Sequence, residues 1–260
     1  MSDGTRLTPE VRAVAIVVVI GAIMSILDTT IVNVALDTLS RDLNAPLSTI
    51  QWVATGYLLA LATVIPLTGW AAERFGPKRV WMSVVTGFVA SSALCGLAWN
   101  AESLIGFRVL QGLAGGMVMP VGMITLAQAA GPKHMGRVMS VVGVPMLLAP
   151  VFGPVIGGLL ITNLSWRWIF FVNLPVGIAG LLLAARLLPS ERAPGRSGAR
   201  LDLVGLALLS PGIAAVVYGL SEVASTGSVT GVNVWLPILA GSGLVDAFAR
   251  RSWFHEFPIV

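Results

Sequence analysis

Long runs of apolar residues, separated by short polar segments, dominate the chain. Eight of these runs are long enough, at about 20 residues, for a helix to cross the hydrocarbon core of a bilayer. They cover roughly residues 13–36, 47–70, 80–99, 103–127, 138–161, 168–187, 203–221 and 232–249. The runs are continuous rather than alternating, and backbone groups in lipid must find hydrogen bonds within their own segment. The pattern therefore predicts an all-α integral membrane protein with eight transmembrane helices.

The composition supports this interpretation. Hydrophobic residues make up 56% of the chain and charged residues 11%, and the mean hydropathy is +0.88. A soluble domain carries about 25% charged residues. The single cysteine, Cys95, rules out a disulfide framework within one chain.

The basic residues alternate between the polar segments. All but three of the sixteen Lys and Arg residues lie before the first run or at and after the ends of the second, fourth, sixth and eighth runs; the exceptions are Arg41, Arg108 and Arg167. By the positive-inside rule these segments face the cytoplasm, so both termini are predicted to be cytoplasmic. This distribution accounts for the net charge of +4 without a nucleic acid partner. Four tryptophans then fall near the outer interface, as in an aromatic belt: Trp52, Trp99, Trp166 and Trp168.

A cleaved signal peptide is an alternative explanation for residues 1–36. The charged start and the apolar run 13–27 allow it. However, no small-residue cleavage site follows, and the apolar run continues past Asp28. A transmembrane helix is therefore preferred.

Asp28 is the only ionisable residue between Arg12 and Asp37, in the middle of the first apolar run. A charge inside a bilayer is costly unless it faces a polar cavity or a partner. The preferred interpretation is a carboxylate that handles protons or cations. A neutral aspartic acid, hydrogen-bonded to a neighbouring helix, is the structural alternative.

Arg108 is the one basic residue in the interior of a span, away from its ends. In the predicted topology Asp28 and Arg108 lie about 12 Å and about 8 Å from the outer ends of their helices, so each is the expected partner of the other. A nearby arginine favours the charged form of a carboxylate and burial favours the neutral form, so a bound cation or an opening cavity can tip the balance. A structural ion pair, or an arginine that snorkels to the surface, is the alternative. Gln111 lies one turn further along, and a small-residue face for close packing follows at Gly112, Gly115 and Gly116.

The fifth span is rich in small residues and prolines. Small residues that repeat every four positions form a groove for a neighbouring helix: Ala149, Gly153 and Gly157. Three prolines within ten residues each remove a backbone hydrogen bond and predict a bend: Pro145, Pro150 and Pro154.

A charged loop, "GWAAERFGPKRVW", joins the second and third spans. Gly69 and Gly76 suit a tight turn there. Its charged residues are Glu73, Arg74, Lys78 and Arg79. Positive-inside anchoring explains the three basic residues, but it does not require the glutamate.

Taken together, these segments resemble the major facilitator superfamily, and specifically its fourteen-span drug:proton antiporter branch. "LDTTIVNVAL" is similar to the first-helix signature of that branch, and "WRWIFFVNLPVG" to the entry of its sixth helix. "GWAAERFGPKR" matches the superfamily's loop motif at Gly69, Arg74, Gly76 and Lys78. "RVLQG" resembles the fourth-helix motif through Arg108, Gln111 and Gly112. "APVFGPVIGG" resembles the antiporter motif of the fifth helix at Pro150, Gly153, Pro154, Gly157 and Gly158.

Three positions depart from the family's pattern. Asp37 stands where relatives usually have proline, and Pro77 where they often have arginine. Glu73 stands where they have aspartate and keeps the charge.

The resemblance implies a six-helix N-terminal bundle, built from two inverted three-helix repeats, over residues 1–187. A cytoplasmic loop would follow at 188–202, two linker helices at 203–249, and a cytoplasmic tail at 250–260. Transporters of this kind rock a second bundle against the first. The chain stops at "FHEFPIV", which resembles the run-in to a ninth span, so we expect either a fragment or a truncated gene product.

The implied function is export of lipophilic, cationic drugs or toxic compounds across the bacterial cytoplasmic membrane in exchange for protons. Asp28 would exchange protons, and Arg108 would tune its proton affinity. Glu73 and the basic residues around it would latch the cytoplasmic face, and the fifth helix would bend and pack against the second bundle. Candidates to line the substrate cavity are Asn33, Tyr57 and Gln111. The partners would be the lipid bilayer, a lipophilic small molecule, protons and the C-terminal bundle.

Several alternatives stay open or are excluded by the sequence. Export of an endogenous metabolite or antibiotic stays open, as does a non-transporting, truncated membrane remnant; the antiporter-type fifth helix argues against uptake. ATP hydrolysis and proteolysis are disfavoured because G-x-x-x-x-G-K-[ST], H-E-x-x-H and G-x-S-x-G are absent. His134 and His255 are isolated and near cytoplasmic loops, so we expect them to be solvated rather than metal ligands. The resemblance implies a secondary transporter and not an enzyme, with no metal or other cofactor.

Overall fold

The computed structural model describes residues 8–189 and 201–253, and within these ranges the chain is helical, without strands. A 3-10 turn at Ile65–Leu67 separates the second helix from the third. The helices are α1 Pro9–Asp42, α2 Leu47–Val64, α3 Thr68–Phe75, α4 Pro77–Gly96, α5 Ala101–Gly115, α6 Val118–Asn163, α7 Trp168–Phe171, α8 Asn173–Leu187, α9 Leu203–Thr226 and α10 Val232–Trp253.

Eight stretches in the described part of the chain are long and apolar enough to cross a membrane, as predicted. We call them the first to eighth spans: Pro9–Asp42, Leu47–Phe75, Pro77–Gly96, Ala101–Pro132, His134–Asn163, Trp168–Leu187, Leu203–Val223 and Val232–Ser252. Several extend a few residues beyond the predicted limits, because helices continue past the apolar run into polar sequence. The first span, for example, begins after Thr8, whose Oγ1 accepts a hydrogen bond from the Val11 amide at 3.3 Å.

Two glycines with positive φ mark boundaries between spans. Gly76, with φ 85°, ends the second span and begins the third. Gly131, with φ 66°, separates the fourth span from the fifth within α6. Residues with a side chain rarely adopt this backbone region, which explains glycine at both turns.

The first six spans form one bundle, and the last two form a hairpin beside it. The first span packs on the fifth and sixth, and the fourth packs on the second and third. The eighth span lies along the seventh, which in turn packs on the second. This is the predicted arrangement of a six-helix bundle with two additional helices.

The bundle core consists of two apolar clusters. The first, which includes Trp81 and Phe88, lies toward the end that carries residues 69–79, which we call the loop-motif end. The second, which includes Trp166 and Phe170, lies toward the opposite end. Buried polar side chains separate the two clusters, and they form the site described next.

Some predicted segments extend beyond the described residues. These are the N-terminal residues 1–7, most of the loop 188–202, and the end of the tail 250–260. The division of the chain into those segments stays a prediction.

Candidate functional site

Asp28 and Arg108 form an ion pair inside the bundle. Arg108 Nη1 lies 2.6 Å from Asp28 Oδ2. The Asp28 side chain is 0% exposed and the Arg108 side chain is 1% exposed. The contact expected from their similar depth is therefore present. An ion pair this deeply buried depends on good geometry and on further hydrogen bonds to offset the loss of water.

Two amide side chains supply further hydrogen bonds to the carboxylate. Gln111 Nε2 donates to Asp28 Oδ1 at 3.0 Å, and Asn173 Nδ2 donates to the same oxygen at 2.8 Å. Gln111 comes from the fourth span and Asn173 from the sixth. The carboxylate thus joins the first, fourth and sixth spans and has three donors, one charged and two neutral.

The guanidinium of Arg108 is held on several sides. Its Nη1 also donates to Gln111 Oε1 at 2.7 Å, and its Nε donates to the backbone carbonyl of Val53 at 3.1 Å. The guanidinium carbon lies 3.9 Å from the centre of the Tyr57 ring. The second span therefore contributes both a carbonyl acceptor and an aromatic face to Arg108.

Two glycines on the fourth span allow this close approach to the second span. A Cβ at Gly112 would overlap the Tyr57 carbonyl oxygen and would lie 2.9 Å from the Ala60 side chain. A Cβ at Gly116 would lie 2.5 Å from the carbonyl oxygen of Leu61. The small-residue face predicted for this helix therefore brings the two backbones together, and it does so just beyond Arg108.

The third span completes the network. Ser92 Oγ accepts a hydrogen bond from Asn173 at 3.1 Å and donates to the Phe170 carbonyl at 2.9 Å. The Cys95 thiol donates to Gln111 Oε1 at 3.5 Å. Both amides are therefore oriented by partners on the third span.

Asn173 and Ser92 are the site residues that sequence reasoning missed. A signal was available for Asn173, because it is the only polar side chain between Trp168 and Arg186 in the sixth span. A neutral amide costs less than a charge in an apolar segment, so hydropathy alone does not single it out. Ser92 gives an even weaker sequence signal, because the hydroxyl of a serine in a membrane helix can hydrogen-bond to the backbone of its own helix.

The three candidate cavity residues fall in different places. Tyr57 and Gln111 are fully buried in the network around Arg108. Asn33 is exposed on the first span, apart from this network. An open groove of about 460 Å³ lies between the second and fourth spans, lined by Trp52, Gly56, Leu59, Ala60, Thr63, Ile105, Val109 and Leu113. The role of the three residues in substrate binding stays a prediction.

The loop motif turns at Gly76 and anchors the end of the sixth span. Lys78 Nζ donates to the carbonyl oxygens of Ala185 at 3.0 Å and of Leu188 at 2.6 Å. A cation at this position satisfies carbonyl groups at a helix C-terminus and complements the helix dipole. Gly69 is half-buried in the second span. The remaining charged side chains of the motif are all exposed: Glu73, Arg74 and Arg79.

The glycines of the fifth span pack on the first span. A Cβ at Gly153 would overlap Thr30, and one at Gly157 would lie 3.2 Å from the side chain of Ile31. Gly158 has open space around it. These two glycines therefore form the predicted groove for a neighbouring helix, and in the described residues that neighbour is the first span. Packing of the fifth helix against a second bundle stays a prediction.

The prolines of the same span lie in helical backbone. The non-helical residue within α6 is Gly131. Pro150 and Pro154 are exposed. The predicted bend at the prolines stays a prediction.

A charge-paired, hydrogen-bonded carboxylate inside a helical bundle can hold a proton or release it. Within residues 8–189 and 201–253, no three His, Cys, Asp or Glu side chains come together as a group that could hold a metal ion. The proton-coupling role of Asp28 and Arg108 stays a prediction.

Comparison with known proteins identifies the family. Residues 18–249 match the profile described as Major Facilitator Superfamily. The Multidrug resistance protein B homolog of Mycobacterium tuberculosis is 46% identical over 256 residues, covering 98% of this chain and 47% of that protein. The probable actinorhodin transporter of Streptomyces coelicolor is 34% identical over 264 residues, covering 98% of this chain and 45% of that protein.

A solved structure shares the fold. The proton:xylose symporter XylE, bound to 6-bromo-6-deoxy-D-glucose, superposes with a TM-score of 0.62 at 13% identity, covering 84% of this chain and 55% of that one. The fold and the sequence relatives are thus those of membrane transporters rather than enzymes. The chain belongs to the major facilitator superfamily. It spans about half the length of the curated relatives it matches.

Proposed function

We propose that this chain is part of a proton-coupled exporter of lipophilic cations in the bacterial cytoplasmic membrane, and that Asp28 carries the proton. The observation that carries the proposal is the buried pair of Asp28 with Arg108, 2.6 Å apart and surrounded by oriented amides. An ionisable residue inside a membrane bundle marks a functional site by default. Relatives named as multidrug resistance proteins support the export of drugs.

Charge balance supports an exchange of protons for cations. When Asp28 is ionised, it compensates Arg108 and the pair is electrically neutral. When Asp28 takes up a proton, the charge of Arg108 is left uncompensated. Two like charges about 8 Å apart repel by about 2 kcal/mol at an effective dielectric constant of about 20. Proton uptake would therefore weaken the binding of a cation nearby, which is what antiport requires.

The proposed orientation places the loop-motif end in the cytoplasm. Exposed Arg74 and Arg79 at that end support it, together with the concentration of basic residues in the segments on the same side. Asp28 would then be reached from the outer side. The exposed Glu73 would act with these arginines as a latch between bundles on the cytoplasmic face.

The central test compares two asparagine variants of the transporter in sealed vesicles. Asp28→Asn should abolish the part of dye efflux that depends on an imposed proton gradient. Asp37→Asn is the matched control, because Asp37 lies on the same helix but is exposed; its gradient-driven efflux should equal that of the wild type. Unchanged gradient-coupled efflux in Asp28→Asn would remove Asp28 from the coupling role.

The driving force gives a second readout. One pH unit is worth about 1.4 kcal/mol per proton. A membrane potential of 100 mV adds about 2.3 kcal/mol per net charge moved. Exchange of one proton for one monovalent cation moves no net charge, so efflux of a monocation should respond to pH and not to voltage. For a monocation, a response to voltage would indicate more than one proton per cycle; a neutral substrate exchanged for one proton would respond to voltage as well.

We also propose that alternating access needs a second bundle. The same vesicle assay on residues 1–260 alone should give no coupled efflux. Reading the coding sequence beyond Val260 provides an independent check: six further spans in frame support the exporter, and an immediate stop supports the non-transporting remnant. Coupled efflux by residues 1–260 alone would overturn the two-bundle argument.

A second candidate substrate class is an endogenous product. The similarity to a protein named as a probable actinorhodin transporter favours it. Competition would separate the two classes: an endogenous product of the host cell that inhibits dye efflux at lower concentrations than lipophilic cations do would support this alternative. Both candidates use the same proton site.

A further inference from the structure

Asn173 connects the Asp28 carboxylate to the third and sixth spans. Its Nδ2 donates to Asp28 Oδ1 at 2.8 Å and to Ser92 Oγ at 3.1 Å, and only 2% of its surface is exposed. We propose that Asn173 is a positioning residue that favours the charged form of Asp28 and so sets the pH at which Asp28 takes up a proton. This inference rests on the proposed function only in taking Asp28 as the proton carrier.

The direction of the hydrogen bonds fixes the orientation of the amide. Ser92 uses its hydroxyl hydrogen to donate to the Phe170 carbonyl at 2.9 Å, so toward Asn173 its oxygen acts as an acceptor. The amide nitrogen of Asn173 carries two hydrogens, one for Ser92 and one for Asp28. A rotated amide would direct its oxygen at the carboxylate and lose both bonds. Ser92 therefore keeps a donor directed at Asp28.

A neutral hydrogen-bond donor at this position stabilises the charged form of Asp28 without adding a positive charge to the site. Hydrogen bonds to a carboxylate favour its charged form. A second arginine or lysine would do the same, but it would leave an additional positive charge in the site when Asp28 is protonated. The amide of Asn173 stabilises the carboxylate and leaves the net charge of the pair unchanged.

Other groups around Asp28 also affect its charge, and they come from different spans. Arg108 faces it from the fourth span, Tyr57 from the second and Cys95 from the third. The sixth span contributes Asn173, which does not titrate. The effect of Asn173 can therefore be separated from that of the titratable groups by replacing it with an apolar residue of similar shape.

The test is an infrared pH titration of the reconstituted 260-residue chain. The carboxylic acid C=O band that disappears in Asp28→Asn reports the protonated form of Asp28. In Asn173→Leu, half-conversion of that band should move to higher pH by about one unit, a tenfold change in proton affinity, because one donor to the charged form is lost. Asn173→Gln keeps a donor amide, so its band should shift less than that of Asn173→Leu.

Two further variants make the result decisive. Asn163→Leu makes the same change at an exposed position of the fifth span, where Asn163 donates to the Leu159 carbonyl at 2.8 Å, and it should leave the band unshifted. Ser92→Ala removes the acceptor that orients Asn173, and it should give a smaller shift in the same direction even if Asn173→Leu fails to fold. Unshifted bands in both Ser92→Ala and Asn173→Leu would overturn the proposal. If Asn173→Leu misfolds, an unshifted band in Ser92→Ala alone would overturn it. A shift in Asn163→Leu equal to that in Asn173→Leu would also overturn it.

The titration is independent of transport. If Asp28→Asn retains gradient-coupled efflux, the proposed function fails even though the band of Asp28 shifts in Asn173→Leu. If the band does not shift while Asp28→Asn abolishes coupling, the proposed function stands and the role of Asn173 fails. The two experiments therefore fail in different ways.

Discussion

Gly153 of the fifth span lies directly against Thr30 of the first span. A Cβ at position 153 would lie 2.6 Å from the Thr30 Cβ and would overlap its hydroxyl oxygen. The Thr30 Cβ is attached to backbone, so rotation of the side chain cannot relieve the contact. The glycine of the fifth-span motif therefore sets the distance between these two helices.

Gly153→Ala should consequently destabilise the bundle. The first and fifth spans would have to separate by several tenths of an ångström, and overpacking of this kind costs about 1–3 kcal/mol. Thermal unfolding in detergent micelles, followed by circular dichroism, measures the loss.

Gly158→Ala is the matched control for this prediction. Gly158 belongs to the same motif and helix, but a Cβ at this position would have no neighbouring atom within 4 Å. Alanine is favoured over glycine in a helix by about 1 kcal/mol, so this variant should be neutral or more stable. Equal destabilisation by both substitutions would contradict the packing argument.

The buried pair of Asp28 and Arg108 predicts a non-additive response to mutation. Asp28→Asn or Arg108→Gln alone leaves one charge buried without its partner, and each should cost about 3–5 kcal/mol. The double variant replaces both charges by amides that can hydrogen-bond, so it should be more stable than either single variant. Unfolding of the three variants under identical conditions measures the coupling. A double variant that loses the sum of the two single effects would show that the charges act independently.

The apolar pattern was sufficient to predict the eight spans, because a bilayer imposes a minimum length of apolar helix and excludes other structures. The pairing of Asp28 with Arg108 followed from depth alone, since both are costly in lipid without a partner. Asn173 was not predicted because a neutral amide gives a weak hydropathy signal. The helix that packs on Gly153 was not predicted, because a groove in one helix carries no information about which neighbour occupies it.

The anchoring role of Lys78 lay beyond sequence reasoning for a different reason. Its acceptors, the carbonyls of Ala185 and Leu188, lie 107 and 110 residues away. Backbone carbonyls have no side-chain identity that a motif could reveal. Only the packing of the third span on the sixth brings them to the lysine.

Lys78→Met should therefore loosen the end of the sixth span. Loss of the two carbonyl contacts and of a cation at a helix C-terminus should cost about 0.5–2 kcal/mol. Hydrogen exchange of the backbone amides near residue 188 should become faster. Arg79→Met removes a neighbouring exposed cation and should change stability by no more than about 0.5 kcal/mol. Equal exchange rates near residue 188 in both variants would argue against the anchor.

The hairpin of the seventh and eighth spans is closed by Asp202, which has two tasks. Its Oδ1 accepts the Gly205 amide at 2.9 Å and so caps the seventh span, and its carboxylate receives Arg251 Nη1 at 2.8 and 2.6 Å. Asp202→Ala removes both contacts and should cost about 1–3 kcal/mol, whereas Asp202→Asn keeps a capping oxygen and should cost less.

Hydrogen exchange at the Gly205 amide separates the two tasks of Asp202. Exchange should be faster in Asp202→Ala and close to that of the wild type in Asp202→Asn, because asparagine caps a helix about as well as aspartate. The control is Asp246→Ala, which breaks an ion pair with Arg250 whose side chains are 61% and 79% exposed. An exposed pair one helical turn apart contributes only about 0.3–0.5 kcal/mol, so this variant should leave the hairpin intact. If Asp202→Asn loosened the Gly205 amide as much as Asp202→Ala, the charge of Asp202 rather than its cap would hold the start of the seventh span.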